Sequence, residues 1–267
     1  MSVRLKNYTQ GQWVEGTGAG IPLFHAINGE EIYRAGSDGL DFAAMLNYGR
    51  TVGGPALRKM SFHDRARMLK ALGLYLNERK KSFYAVSAAT GATKTDSWID
   101  IDGGIGTMLV FASKGRRELP DQPFLVDGNM EMISKGGTFV GHHICVPLEG
   151  VALHINAFNF PVWGMLEKIA VNLLAGVPAI VKPATATSYL TEHVVREIIQ
   201  SGILPEGSLQ LVCGGVGDIF DHLTCQDVVT FTGSASTGKM LKRHPSIIDH
   251  SIRFNMEADS LNCCILG

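Results

Sequence analysis

No stretch of this 267-residue chain approaches the roughly 18 consecutive apolar residues that a membrane-crossing helix requires. The opening Met-Ser-Val-Arg-Leu-Lys-Asn-Tyr has no apolar core of the kind a secretory signal carries. Neither sign of charge is in excess: 24 basic against 25 acidic residues give a formal net charge of −1. That balance removes the electrostatic case for nucleic acid or an acidic membrane surface as partner. Cysteine is scarce. Cys145, Cys213, Cys225, Cys263 and Cys264 are odd in number and include no Cys-x-x-Cys, so neither a disulfide framework nor a zinc site is expected. No metal ligand set is predicted, and the absences together fit a reducing cytoplasm.

What the sequence does hold is ordinary globular material with a change of pattern near its middle. Apolar residues make up 45% of the chain and charged residues 18%, enough for one large α/β domain or a domain with an appendage. Residues 1–35 place turn signals (Gly11, Gly16, Gly18, Gly20, Asn28-Gly29) between short apolar pieces, a pattern of hairpins capping a domain. A helical pattern over 41–60 is interrupted by Gly53-Gly54-Pro55. Ser61 and Asp64 have capping-box spacing, and Phe62, Ala66, Leu69, Leu72 and Leu76 mark one face of the helix that follows. Residues 95–118 also read as helix, weakened by Gly103-Gly104 and Gly106. Residues 120–150, punctuated by Pro120, Asp127-Gly128 and Gly136-Gly137, read as an extended β-excursion. From 151 onward, strands predicted at 151–155, 179–182, 209–213 and 228–231 alternate with helices at 162–174, 187–200, 218–223 and 234–243. Brief links between alternating strands and helices imply a parallel sheet covered on both faces. Ligands of such sheets bind at the carboxyl ends of the strands.

Candidate chemistry collects at those ends. Thr232-Gly233-Ser234 lies between a strand and a helix start, where glycine permits close backbone approach and free N–H groups favour a phosphate. The same residues read equally as a plain N-cap. Gly233-Ser-Ala-Ser-Thr-Gly238-Lys239-Met240 nearly spells the phosphate loop of nucleoside triphosphatases, but Met240 supplies no oxygen for magnesium. Lys182 ends a strand, where it can reach ribose hydroxyls or a phosphate; the bland alternative is a solvated strand-end lysine. Gly214-Gly215-Val216-Gly217 lacks the third glycine of the dinucleotide fingerprint. Asn159, between two phenylalanines and before Pro161, is placed to donate to an oxyanion or simply to form a turn. Glu257, with Met256 and Ala258 beside it, is a candidate general base that taken alone reads first as a surface glutamate. Cys263-Cys264 lies in a segment, 261–266, that reads as a buried strand, so both thiols are expected to be structural.

In combination these pieces resemble the aldehyde dehydrogenase superfamily. Asn156-Ala-Phe-Asn159-Phe-Pro161 is similar to its Pro-Trp-Asn-Phe-Pro segment, and Gly176-Val-Pro-Ala-Ile-Val-Lys182-Pro183 to its Gly-Asn-x-Val-Val-x-Lys-Pro. Phe231-Thr-Gly-Ser234 resembles its cofactor loop and Met256-Glu257 its base segment. Gly164-Met-Leu-Glu-Lys168 and Met256-Glu-Ala-Asp-Ser-Leu-Asn-Cys-Cys264 look like a branch that oxidises coenzyme A-linked semialdehydes in phenylacetate and other aromatic degradation. The resemblance implies an α/β fold with a Rossmann-like parallel sheet, helices on both faces, and a β-excursion used for oligomerisation. It divides the chain into 1–119, the N-terminal part of the cofactor-binding domain; 120–150, the oligomerisation segment; and 151–267, the nicotinamide-dinucleotide-binding domain. Asn159 becomes the oxyanion donor and Glu257 the base that activates water. NADP or NAD would contact Ile155, Lys182, Ala184, Thr185, Gly215, Phe231, Gly233, Ser234 and Thr237. The implied partner is a small-molecule aldehyde, CoA-linked, with a homo-oligomer at full length.

Two departures from the family pattern carry expectations of their own. Many NAD-preferring relatives keep a glutamate where this chain has Thr185, so NADP is expected to be accepted and preferred. The chain also reaches Gly267 before the position of the family's nucleophilic cysteine, so no turnover is expected from this polypeptide alone. A phosphate-loop-like nucleotide module and a non-catalytic dinucleotide-binding or assembly module remain the alternatives.

Overall fold

The computed structural model describes residues 3–261 together with Cys263 and Ile265. Strands β1 (Val3–Arg4), β2 (Asn7–Thr9), β3 (Gln12–Val14), β4 (Ile21–Phe24) and β5 (Glu31–Ala35) come first. Helices α1 (Phe42–Tyr48), α2 (Gly54–Arg58), α3 (Phe62–Ser87) and α4 (Lys94–Glu118) follow, then strands β6 (Leu125–Met132) and β7 (Val140–Cys145). The remainder alternates: β8 (Ala152–Ile155), α5 (Trp163–Leu174), β9 (Ala179–Lys182), α6 (Ser188–Gln200), β10 (Leu209–Leu211), β11 (Val228–Gly233), α7 (Ala235–Lys242), α8 (Pro245–Asp249) and β12 (Arg253–Ala258).

The principal sheet has the order β12-β11-β8-β9-β10-β2-β3. Its first five strands are parallel, and β2 and β3 complete it antiparallel. The N-terminal residues therefore do more than cap the domain: one hairpin extends its sheet. Asn7 explains why. Its buried side chain accepts from Cys213 N at 2.7 Å and donates to Gly36 O at 2.9 Å, which fastens β2 beside β10. Strands β1, β5 and β4 form a separate small sheet.

Two apolar cores flank the principal sheet. One joins α3, α4, α5 and α6, with Leu69, Met108, Leu166 and Val194 fully buried. The other lies against α1 and α8 and holds Met45, Leu153, Ile180 and Val229. The predicted capping box at Ser61 and Asp64 is present, and Thr93 with Asp96 forms a second at the start of α4. Gly53-Gly54-Pro55 does not interrupt the chain's helical course. A π-helical turn at Gly49–Gly53 leads directly into α2, whose first turn accommodates Pro55 because no backbone N–H is needed at that position. Gly104 in α4 serves packing: a Cβ there would lie 2.8 Å from Trp163 Cα, so glycine lets α4 and α5 approach closely.

Residues 120–150 hold a third sheet. β6 and β7 pair only with each other in an antiparallel two-stranded sheet. They expose Val126, Met130, Met132, Val140 and Ile144. Of the predicted buried strand at 261–266, the described residues Leu261, Cys263 and Ile265 lie in no strand and are exposed, because β12 is the edge strand of the sheet and no described residue packs over them; Cys264 lies outside the described residues. No helix among the described residues is long and apolar enough to cross a membrane.

Candidate active site

The carboxyl ends of β8, β9, β11 and β12 lie side by side, and the parallel register aligns their residues. Ile155 pairs with Lys182 on one side and Phe231 on the other, while Thr232 pairs with Glu257. Because side chains alternate between the faces of a strand, this end of the sheet is two-faced. Leu153, Ile155, Val229 and Phe231 enter the core against α1 and α8. His154, Thr230, Thr232 and Glu257 turn to the other face, where α5 crosses.

On that second face Asn159 and Glu257 line one cleft of about 350 Å³, together with Phe160, Trp163, Lys168 and Thr232. Glu257 is exposed. The apolar residues next to it in sequence do not surround it, since Phe254 and Met256 turn to the opposite core. Thr232 Oγ1 donates to Glu257 Oε2 at 3.2 Å and accepts from Lys168 Nζ at 2.8 Å. Lys168 Nζ also donates to Asn156 Oδ1 at 2.9 Å. Burial holds the Lys168 ammonium below the usual lysine range, an effect that the charges of Glu167 and Glu257 offset in part. Glu167 is raised, first by burial and further by Glu257, with Lys168 opposing.

A second, larger cavity of about 550 Å³ adjoins the cleft, sharing Glu167, Lys168 and Glu257 and continuing past His154 and Asn172 to Val171 and Pro147. His154 is wholly buried. Asn172 Nδ2 donates to Val177 O at 2.5 Å, so Asn172 Oδ1 accepts from His154 Nε2 at 2.8 Å. His154 Nδ1 then accepts from Thr230 Oγ1 at 2.7 Å. Burial, opposed by the Asn172 bond and assisted by the Lys168 charge, lowers this imidazole to about 4, so it is neutral. The start of α5 is held from outside the helix. Asp100 of α4 accepts from Trp163 N at 2.7 Å and from Val162 N at 3.1 Å, and burial raises its carboxyl to about 6 against the pull of those bonds.

The residues proposed to contact a cofactor fall at the same edge of the sheet but outside both cavities. Lys182 is half-buried, so it is not a plain solvated strand-end lysine. Its ammonium makes no hydrogen bond or ion pair among the described residues, and burial lowers it. Ala184 and Thr185 form the turn that leads from β9 to α6, where Ser188 Oγ donates to Thr185 O at 2.8 Å. Gly215 is exposed in the turn beyond β10, and its carbonyl accepts from Ser37 Oγ at 2.7 Å. Ser234 is the N-cap of α7: its Oγ accepts from Thr237 N at 3.3 Å and donates to Thr237 Oγ1 at 3.0 Å. Gly233 ends β11 immediately before it. Two candidates need correction at the level of side chains. Phe231 is 4% exposed and Ile155 6%, both turned into the core by strand alternation, so only their backbone borders the edge. The phosphate-loop alternative also fails, because residues from Ala235 onward are helical and Gly238 is buried against Met256 and Phe231. No open loop remains to wrap a triphosphate.

Residue-level reasoning left Lys168, Thr232, Asn156 and His154 without roles. Their signals were present: Glu167-Lys168 is the charged interruption of a mostly apolar α5, and Val-Val-Thr-Phe-Thr-Gly of β11 alternates apolar with hydroxyl. Among the described residues no group of three or more His, Cys, Asp or Glu side chains is placed to hold a metal ion.

An amide and a carboxylate thus face one cleft at the carboxyl edge of a parallel α/β sheet. The aldehyde dehydrogenase family profile matches residues 13–266, and the chain belongs to that family. It is 43% identical over 266 residues to the 3,4-dehydroadipyl-CoA semialdehyde dehydrogenase of Aromatoleum evansii, covering 99% of this chain and 52% of that protein. It is 26% identical to the N-succinylglutamate 5-semialdehyde dehydrogenase of Serratia proteamaculans, covering 88% of this chain and 46% of the relative. Among solved structures, a 3,6-anhydro-L-galactose dehydrogenase in complex with NAP superposes with a TM-score of 0.82 at 22% identity, over 96% of this chain and 52% of the other. The NADP-dependent glyceraldehyde-3-phosphate dehydrogenase from Bacillus halodurans, complexed with NADP, gives 0.79 at 23% identity, over 97% and 53%. The chain thus spans about half the length of the curated relatives it matches.

Proposed function

We propose that this chain is the cofactor-binding half of an NADP- or NAD-dependent aldehyde dehydrogenase that converts a CoA-linked semialdehyde to the acid. The observation that carries the reading is the shared cleft of Asn159 and Glu257 beside the aligned ends of β8, β9 and β11. Similarity to a dehydrogenase of a CoA semialdehyde supports the substrate class. The residues present fit a nicotinamide dinucleotide. Among the described residues Lys182 offers an unpaired ammonium at the strand end, while at the start of α7 the Ala235 and Thr237 N–H groups are held by Asp259 Oδ1 and Ser234 Oγ, which a diphosphate would have to displace. When bound, such a cofactor supplies the hydride acceptor. Lys182 would hold its ribose hydroxyls, and Ser234 and Gly233 its diphosphate; Ile155, Ala184, Gly215, Phe231 and Thr237 border the same edge. In the cleft, the Asn159 amide donates to the oxygen that becomes negative when a nucleophile adds to the aldehyde. Glu257 takes a proton from the water that releases the acid.

None of the described cysteines lines the cleft of Asn159 and Glu257, so the nucleophile that adds to the aldehyde is not assigned to any of them. The exposed apolar residues of β6 and β7 support a role for 120–150 in homo-oligomer assembly, because an unpaired two-stranded edge invites a further strand. Residues 1–119 and 151–267 would form one cofactor-binding unit around the principal sheet.

Calorimetric titration of the chain with NADP and NAD tests the central claim. Saturable binding of NADP, tighter than of NAD, is expected, and Lys182→Ala should weaken both. Thr185→Glu should cost NADP about tenfold relative to NAD by placing a carboxylate against the 2′-phosphate, roughly 1.4 kcal/mol. No binding of either nucleotide to the folded chain would sink the reading, and an unchanged NADP-to-NAD ratio in Thr185→Glu would remove the specificity assignment.

A further inference from the structure

Asn156 sits one residue beyond β8, its backbone N donating to Lys182 O at 3.0 Å and its side chain 4% exposed. Its Oδ1 accepts from Lys168 Nζ, yet its Nδ2 is buried with no acceptor. An unpaired buried amide N–H is costly, and a leucine of similar size would fill the same space without that cost. Packing therefore does not account for asparagine here. The Lys168 ammonium does: it can only donate, so it fixes the amide with oxygen forward, and the opposite orientation would set two donors against each other. The same logic runs on through the cleft. Lys168 donates to Thr232 Oγ1, which leaves the threonine hydroxyl proton to the Glu257 carboxylate.

We infer that Asn156 is a positioning residue that holds the Lys168 ammonium so that a one-way chain of donors, Lys168 to Thr232 to Glu257, ends on the carboxylate in the cleft. The groups that face Lys168 are Glu167 on α5, Glu257 on β12 and His154 on β8, with Cys145 of β7 lining the adjoining cavity. Of these only the carboxylates draw the proton toward the lysine. The uncharged amide oxygen supplies direction without adding a further negative charge.

The role assigned to Glu257 rests on the proposed function, but the test needs neither cofactor nor aldehyde, so failure of one is distinguishable from failure of the other. The purified chain is labelled across a pH series with trace isotopic acetic anhydride. The extent of acetylation at Lys168 is read by mass spectrometry against exposed Lys135 and Lys242. Asn156→Leu, checked for fold by circular dichroism, should shift the Lys168 titration midpoint down by about one pH unit, a tenfold loss of proton affinity. Asn156→Asp should shift it up by about as much, because it replaces an amide oxygen with a charge. A general loosening of the structure would move both variants the same way, toward the midpoint of an exposed lysine. Opposite shifts support the inference. Shifts in one direction, or none, overturn it, and if Asn156→Leu does not fold, an unmoved midpoint in Asn156→Asp does so alone.

Discussion

The two faces of the sheet end formed by β8, β11 and β12 use the same strands for opposite purposes. Toward α1 and α8 the strands present Leu153, Ile155, Val229 and Phe231, all buried among apolar neighbours. Toward α5 they present His154, Thr230, Thr232 and Glu257, bound to one another and to Lys168 and Asn172 by directed hydrogen bonds. One face gains stability in proportion to the area it hides from water. The other gives up that gain, because each polar group needs a partner and the Asn156 Nδ2 amide has none among the described residues. The strands illustrate how a stable fold can hold a polar site in a fixed geometry: the apolar residues anchor the backbone, and the polar ones inherit its register.

Truncation should separate the faces most sharply. Phe231→Ala removes a ring from the apolar core and should destabilise the chain by about 3–5 kcal/mol, whereas Thr232→Val, its neighbour on the polar face, should cost about 1 kcal/mol or less. Urea unfolding of the two variants measures both. Comparable losses would mean that the polar face is as much a part of the stabilising core as the apolar one.

Acid should act through the polar face. His154 is held neutral at about 4, below its ordinary value of 6.5, so the fold resists a proton that the unfolded chain accepts. The contribution of this residue is present above pH 6.5 and is lost progressively as the pH falls to about 4. The loss is on the order of 3 kcal/mol. The stability advantage of the native protein over His154→Gln should therefore shrink between pH 7.5 and pH 4.5. An advantage that stays constant would show that the imidazole is not held neutral by its surroundings.

The unequal legibility of these faces in the sequence has a physical cause. Helices α3 to α6 and strands β8 to β11 were foreseeable, because apolar periodicity and turn residues act locally and over many positions. The polar face was not, although His154, Thr230 and Thr232 alternate with apolar residues, because strands of four to six residues give a two-residue period little length in which to stand out. Lys168 lies in a helix whose sequence is mostly apolar, where a single charge does not say which face it serves. Asn159 and Glu257 were separate candidates that only family resemblance joined, since they lie 98 positions apart and only the fold brings them to one cleft. The segment holding Cys263 misled for the opposite reason: an apolar run resembles a buried strand whether or not anything lies over it.

Asp100 offers the smallest and most specific test of the comparison, since it supports the polar face from a helix with no part in the sheet. It holds the first turn of α5 from 62 residues away in sequence, a tie that local reasoning could not anticipate. Burial raises its carboxyl to about 6 from an ordinary 3.8, so ionisation is less favourable in the folded chain than in the unfolded one. Stability from this group is therefore greatest below pH 3.8 and declines as the pH rises through 6, opposite in sign to His154 over the shared window. The decline is about 2 kcal/mol, since the carboxylate is somewhat less enclosed than the imidazole. Asp100→Asn keeps one acceptor for Trp163 N and cannot ionise. Its stability relative to the native protein should rise with pH between 4 and 6.5, whatever the constant cost of the exchange. A difference that does not change with pH would mean that Asp100 is charged as easily inside the fold as outside it, and that the start of α5 is open to water.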